Sequence, residues 1–346
     1  MSQPDSVVQE LVNFIHVAQR SLHIAIYDFR LSPEGKHYAL LVNALRERAQ
    51  AGVSVEIAYD HGKPQSFRTG ADPAATGTRL FLEKAFQGTS IQSRGITDRN
   101  PLHPEPRLMH SKYIIRDETA VWTGSVNLTD DSWTFEENNI VQVNSSKLAS
   151  YYETNFSELW TSGDIGSTGE KDAGTITTEQ GTTIDVAFSP GEGPTIDAYA
   201  ANLITSAKRR IKLASMLISS HQVLPALLNA LRIRQVPELS GIYDSTQMGE
   251  TIQNWRKVPH NAMYIPMFFE MSNHLSHKTS IPYGPETKHN FMHNKVVVCD
   301  DSVFTGSFNL SHSATQNAEN VLIIHDAQIA DQYAAYIDRL IGIYSA

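Results

Sequence analysis

One set of reactive residues occurs twice in this chain. Residues 110–127 read HSKYIIRDETAVWTGSVN, and residues 293–309 read HNKVVVCDDSVFTGSFN. Each copy holds a histidine, a lysine two residues on, an aspartate five further, and then Gly-Ser-x-Asn. Side chains alternate across a strand, so His110 and Lys112 share one face, as do His293 and Lys295. Asn127 and Asn309 follow the turns at Gly124-Ser125 and Gly306-Ser307, within reach of that face. If the two halves pack about an approximate two-fold axis, two imidazoles, two ammonium groups and two amides meet in one pocket.

Such a pocket suits a phosphodiester. Lys112 and Lys295 offset its negative charge. Asn127, Asn309 and the region of Ser125 and Ser307 supply donors for the non-bridging oxygens, where charge grows in phosphoryl transfer. One histidine, unprotonated, attacks phosphorus and forms a phosphohistidine. The other, protonated, donates to the leaving oxygen and then activates water. Imidazole serves both roles near neutral pH. A single HxK pair is usually chance. The whole constellation, repeated within an internal duplication, leaves little room for it.

The two stretches resemble the paired HxKx4Dx6GSxN motifs of the phospholipase D superfamily. The first fits in full; the second has five residues instead of six between Asp300 and Gly306. The resemblance covers nearly the whole chain, because the surrounding elements are duplicated too. It implies an α/β chain with an internally duplicated phospholipase D-like fold. Two α/β/α sandwich domains would then hold the active site at their pseudo-two-fold interface. It also implies a phosphohistidine intermediate and no requirement for a metal or other cofactor. Carried over by position, His110 is the nucleophile and His293 the acid/base, an assignment that the near-symmetry of the sequence leaves open. Lys112, Lys295, Asn127 and Asn309 would bind phosphate. In the family an acidic residue orients the histidine through its second ring nitrogen. Glu137 and Glu319, each ten residues beyond the motif asparagine, are the candidates, against the alternative of solvated acids at strand starts. Asp117 and Asp300, at or past the strand ends, read as structural anchors of turns, with Gly124 and Gly306 in the turn motif.

The elements that must position these groups also repeat. Residues 7–20 place Val7, Val8, Leu11, Phe14, Ile15 and Ala18 on a helical stripe. Residues 21–29 alternate as a strand, 37–50 form a helix and 53–60 the next strand, a crossover unit in a mixed or parallel sheet. Residues 80–86 form a short helix. Residues 110–115 and 120–123 pair through a turn at Asp117-Glu118. Residues 137–143 form a further strand, and 147–160 a helix behind it. AKRRIKLASMLI (207–218) then matches AQRSLHIAIYDF (18–29), and NALRIRQ (229–235) matches NALRERA (43–49). The boundaries expected are one domain over 1–165, a Gly/Thr-rich linker or exposed hairpin over 166–183, and a second domain over 184–346. The match weakens over 242–292, where substrate-specific structure is expected.

Composition narrows the partners. With 346 residues, 41% hydrophobic and 19% charged, the chain can build more than one core. Its single cysteine, Cys299, excludes an internal disulfide and fits a reducing compartment. No signal peptide or membrane-length apolar run is evident, so a cytoplasmic protein is expected, with secretion open if a leader was removed. A formal net charge of −9 weighs against long duplex footprints and leaves a local basic cleft open. His103, His260, His274, His277, His289 and His312 lack convincing metal-ligand spacing. The linker glycines are not a phosphate loop, since no GK[ST] follows. Trp255 reads equally as core or as a groove wall.

Three functions compete. A nuclease for single-stranded or short nucleic acid leads, on compact size, on Lys63, Arg68, Arg79, Arg94, Arg99 and Arg107 as groove cations, and on aromatics able to stack bases. A phospholipase or headgroup transferase is the alternative, with Tyr264, Met267, Phe268, Phe269 and Met271 as an interfacial patch. That stretch reads equally as a buried helix. A non-catalytic phosphate-binding module is the third reading, disfavoured by intact histidines. Stable membrane insertion is not expected. Both half-sites lie in one chain, so a monomer would suffice.

Overall fold

The structure is a computed structural model describing residues 4–62, 77–100, 102–103, 107–166, 168–284 and 287–345. Lys63 and Arg68 lie outside the described residues.

The first half contains α1 (Pro4–His16), β1 (Ser21–Ile26), β2 (Phe29–Arg30), α2 (Lys36–Gln50), β3 (Ser54–Asp60), α3 (Thr78–Ala85) and β4 (Gln92–Ile96). It continues with β5 (Lys112–Arg116), β6 (Ala120–Gly124), β7 (Leu128–Thr129), α4 (Asp130–Thr134), β8 (Ile140–Asn144) and α5 (Ser146–Ser162). The second half opens on β9 (Gly174–Thr177) and β10 (Thr183–Ser189), followed by α6 (Gly193–Ser206), β11 (Arg210–Ser215), β12 (Ile218–Ser219), α7 (Val223–Arg232) and β13 (Glu238–Asp244). Then come α8 (Ser245–Lys257), α9 (Tyr264–Ser272), β14 (Ser276–Lys278), β15 (Lys295–Cys299), β16 (Ser302–Gly306), β17 (Leu310–Ser311), β18 (Glu319–His325) and α10 (Ala327–Tyr344).

The duplication is plain in the sheets. The first runs β4-β3-β1-β5-β6-β8, and the second β14-β13-β11-β15-β16-β18-β10-β9. In each, the first crossover pair is parallel (β1 with β3, β11 with β13) and the motif hairpin is antiparallel (β5 with β6, β15 with β16). Beyond that shared order, β10 and β9 extend only the second sheet. The stretch expected as a linker or exposed hairpin therefore includes a sheet strand, and its Ile176 is buried in the core.

Three cores hold the layers together. One lies outside the first sheet under α1, α2 and α3; another lies outside the second sheet under α6 to α9. The third joins the inner faces of both sheets through α5 and α10, so the halves share one apolar interior. Ser145 and Asp326 cap the N-termini of α5 and α10 by accepting the N–H groups of Leu148 and Ile329. The stretch considered as an interfacial patch is α9. Its Phe268 and Met271 are buried against the second sheet's outer core, and Phe269 is exposed. Trp255 belongs to that same core.

Candidate active site

Each motif histidine is fixed by its backbone before its side chain is considered. The chain entering β5 runs beside the chain entering β18: His110 N–H donates to the Ala318 carbonyl at 2.8 Å, and Ala318 N–H to Leu108 at 2.9 Å. The mirror contact is Glu137 N–H to the Phe291 carbonyl, 2.9 Å. Buried aspartates at the ends of β3 and β13 clamp the preceding residues. Asp60 accepts Met109 N–H at 2.8 Å and Asp244 accepts Met292 N–H at 2.9 Å. Burial raises the Asp60 carboxyl to about 7.

Across the interface the two imidazoles have unlike partners. His110 Nδ1 lies 2.8 and 2.9 Å from the two Glu319 carboxylate oxygens, supplied by the other half. His293 Nδ1 lies 2.9 Å from Asn138 Oδ1 and 3.5 Å from a Glu136 carboxylate oxygen. Both histidines thereby keep Nε2 free for chemistry.

Glu137 is not where its spacing put it. The backbone pairing makes Ala318 the counterpart of Glu137, and Glu319 the counterpart of Asn138. Glu137 instead accepts from the Tyr344 hydroxyl at 2.5 Å and sits 3.7 Å from Lys278 Nζ. The loop before β8 is one residue longer than the loop before β18, so counting from the motif asparagine misses by one. A usable signal was present: ENNI (137–140) aligns with AENV (318–321) on the shared Asn139 and Asn320.

Ser125 and Ser307 also differ from expectation. Both are fully buried and bind protein groups, not the pocket. Ser125 donates to Asn138 Oδ1 at 2.7 Å and accepts Asn139 N–H at 3.0 Å. Ser307 accepts Asn320 N–H at 2.9 Å. They hold the residues that hold the histidines. Asn127 and Asn309 each have a buried amide oxygen lacking a partner among the described residues. Amide O and N are assigned from their bonding, so either amide can turn its N–H₂ toward an oxyanion.

The glycines before these serines have positive φ, 147° at Gly124 and 141° at Gly306. An added Cβ would stand 2.2 Å from the carbonyl oxygen of Asn139 or Asn320. Asp117 and Asp300 occupy hairpin turns at φ 53°. Asp117 accepts backbone N–H groups of Gln19, Arg20 and Ser21, and Asp300 those of Lys208, Arg209 and Arg210.

The electrostatics follow from burial. Lys112 Nζ donates to the His110 carbonyl at 2.7 Å, and Lys295 Nζ to the His293 carbonyl at 2.6 Å. Burial brings Lys112 down to about 8, against the neighbouring carboxylates. Lys295 falls well below the usual lysine range, through burial and then through Lys112. Burial takes His110 to about 4, although Glu319 pulls upward, and takes His293 well below its ordinary value. For Glu319 burial pushes upward, but His110 and Lys112 outweigh it and the carboxyl stays below its usual value. Both lysines are buried with the Glu319 and Glu136 carboxylates near them, and an anion bound beside their amines would favour the charged forms that burial disfavours.

The rim holds residues the motifs do not announce. The Tyr27 ring is 4.9 Å from that of His110, with Lys112 Nζ 5.2 Å from its centre. From His293 a row of rings leads outward: Phe291 at 6.4 Å, His289 stacked 4.9 Å from Phe291, and half-exposed Tyr283 stacked 5.1 Å from His289. Among the described residues the expected groove cations are dispersed, apart from Arg94 and Arg99. Arg79 pairs with Glu83, Arg94 and Arg99 surround Gly163 at the end of α5, and Arg107 donates to Gln316. Among the described residues no group of three or more His, Cys, Asp or Glu side chains is placed to hold a metal ion. None of the described helices is long and apolar enough to cross a membrane.

Two repeated sheets facing each other across paired HxK motifs define a duplicated phosphodiesterase fold. The chain belongs to the phospholipase D superfamily: residues 11–160 and 201–341 match the family described as "Cardiolipin synthase, PLD-like domain". Among curated relatives, a phospholipase D of Rickettsia felis is 29% identical over 152 residues, 43% of this chain and 65% of that one. A phospholipase D of Rickettsia bellii is 42% identical over 62 residues, 17% of this chain and 31% of that one. The matches thus span less than two thirds of those relatives. Phosphatidylserine synthase of Haemophilus influenzae shares the fold at a TM-score of 0.68 and 10% identity, over 99% of this chain and 85% of that one. Polyphosphate kinase of Porphyromonas gingivalis reaches a TM-score of 0.55 at 9% identity, over 97% and 48%.

Proposed function

We propose that the chain hydrolyses phosphodiesters without a metal, with His110 as nucleophile and His293 as acid/base. The observation that carries the assignment is the unlike pairing of the two rings. A carboxylate at Nδ1 makes Nε2 of His110 the better nucleophile and stabilises the cationic phosphohistidine. At His293 an amide takes the hydrogen bond and the Glu136 carboxylate stands back at 3.5 Å, which leaves this imidazolium the stronger acid, suited to protonating a leaving oxygen.

In the first step His110 Nε2 bonds to phosphorus, the bond to the leaving oxygen breaks, and His293 delivers its proton to that oxygen. In the second, water attacks phosphorus, His293 takes its proton, and His110 is released. Lys112, Lys295, Asn127 and Asn309 hold the non-bridging oxygens throughout. A bound anion raises both imidazole pKa values, so the substrate itself recruits the proton that His293 needs.

For the substrate we favour a single-stranded or short nucleic acid. The row of Phe291, His289 and Tyr283 ends in a half-exposed ring suited to base stacking. A phospholipid is the second reading, favoured by the names of the Rickettsia relatives.

The test assays single-stranded DNA, duplex DNA, RNA and phosphatidylcholine vesicles in parallel with EDTA present. Cleavage of single-stranded DNA in EDTA is expected, and turnover of vesicles alone would transfer the reading to phospholipid. Loss of all activity on chelation would sink the mechanism. With a p-nitrophenyl diester, whose leaving group needs no proton, His293→Ala should accumulate a covalent adduct stable in alkali. His110→Ala should form none; the opposite result exchanges the two roles.

A further inference from the structure

Among the described residues the internal duplication fills one place in the second half and leaves its counterpart open in the first. In the second half β10 lies antiparallel along β18, with Ser189 opposite Glu319, Phe188 opposite Asn320 and Ala187 opposite Val321. Phe188 is fully buried, its ring 5.0 Å from that of Tyr152 on α5. Ser189 donates its hydroxyl to the Ala314 carbonyl.

The counterparts of these surroundings are identifiable residue by residue. Glu319, Asn320 and Val321 correspond to Asn138, Asn139 and Ile140, by the backbone pairing described above. Tyr152 follows the Ser145 cap of α5 by the same interval as Tyr333 follows the Asp326 cap of α10, so Tyr333 stands where Tyr152 does. Asn138, Asn139, Ile140 and Tyr333 line a cavity of about 600 Å³, together with Trp133 and Arg339. The cavity is the seat that Phe188 and Ser189 occupy on the other side of the two-fold.

The edge beside it is equally open. β8 ends its sheet, and among the described residues no backbone group of residues 140–144 bonds away from β6. Ser125 N–H donates to the Asn139 carbonyl. Bonding alternates along a strand, so residues 141 and 143 face β6 while Ile140, Gln142 and Asn144 turn their N–H groups outward. The strand is Ile-Val-Gln-Val-Asn, without the charges or proline that commonly guard an edge.

We propose that the β8 edge and this cavity form a docking site for an extended segment of a partner polypeptide. The segment adds antiparallel to β8 as a seventh strand and places an aromatic side chain against Tyr333. Its chemistry is that of β10, with apolar residues at alternate positions like Ile184, Val186 and Phe188, all buried on the filled side. The seat adjoins Asn138 and Glu136, which contact His293, so an occupant abuts the support of that ring. The inference rests on the duplication and not on the reaction proposed above.

The probe is a fluorescein-labelled peptide of residues 183–189, titrated by anisotropy into the full chain. Saturable binding is expected, weakened about tenfold or more by Gln142→Pro, which removes an outward donor. Gln142 is exposed and its N–H lies outside the ladder, a position where an edge strand accepts proline, so an unchanged melting temperature should accompany the loss. A control needing no variant uses the peptide N-methylated at the Ala187 position, which faces the edge, or at the Val186 position, which faces away. The first should lose binding and the second keep it. No binding by the unmodified peptide, or equal binding by the two methylated ones, overturns the proposal. So does a concentration-dependent dimer abolished by Gln142→Pro, because the edge would then belong to a second copy.

Discussion

At the scale of single residues the pocket is destabilising by construction. His110 moves from the free value of 6.5 to about 4 because burial disfavours its cation. Between those values the unfolded chain binds a proton that the native chain does not. Stability therefore rises with pH across that window and is lost as pH falls through it. The shift amounts to about 3 kcal/mol. Urea midpoints should drop between pH 6.5 and 4, and His110→Asn should flatten that drop; an unchanged slope in the variant would place its source elsewhere. The individual groups were largely legible, since His, Lys and Asn of each motif recur by type and spacing. Asn138 and Glu136 were not, because nothing about an amide or a second acid in EENN marks it as the partner of a histidine half a chain away. Tyr27 likewise reaches His110 only through the fold.

At the scale of elements, each motif hairpin is finished by a glycine that nothing larger can replace. Gly306→Ala would put a methyl group against the Asn320 carbonyl at a φ that side chains rarely adopt. A loss of about 3 kcal/mol is expected, measured by urea denaturation, and Gly124→Ala should behave alike. A loss under 1 kcal/mol would show that the turn can relax. Strand and helix periodicity placed these hairpins to within a residue or two. It left residues 166–183 as a linker or exposed hairpin; the hairpin is present as β9 paired with β10, and its Ile176 is buried. It also left α9 undecided, because an apolar run of that length reads alike as core and as patch.

At the scale of the whole molecule, neither half owns a complete site. His110 stands in the first half, and the carboxylate that orients it is Glu319 of the second. Glu319→Gln should therefore cost about a hundredfold in kcat, by loss of the charge behind the attacking ring. Glu137→Gln should stay within about twofold, since its carboxylate serves Tyr344 and Lys278. Equal losses in the two would return Glu137 to the machinery. The duplication, and hence the facing of the motifs, was readable from repeated strings. The one-residue offset that exchanges Glu137 for Asn138 was readable only by aligning ENNI with AENV, not by counting from the motif asparagine, because loop length is set by packing at the interface.

The turn aspartates carry a consequence for folding. Asp117 and Asp300 touch nothing in the pocket, yet each grips three backbone N–H groups where the chain enters β1 or β11. Were β5 to slide one place along β1, every side chain would change sides. His110 and Lys112 would swing out of the pocket, and Ser111 and Tyr113 would swing in. The grip falls at the far end of the strand from the chemistry and fastens the pairing of Leu22 with Arg116. The aspartate of each motif thus works as a latch against misalignment, and a chain without it would lose its catalytic face before it lost its core.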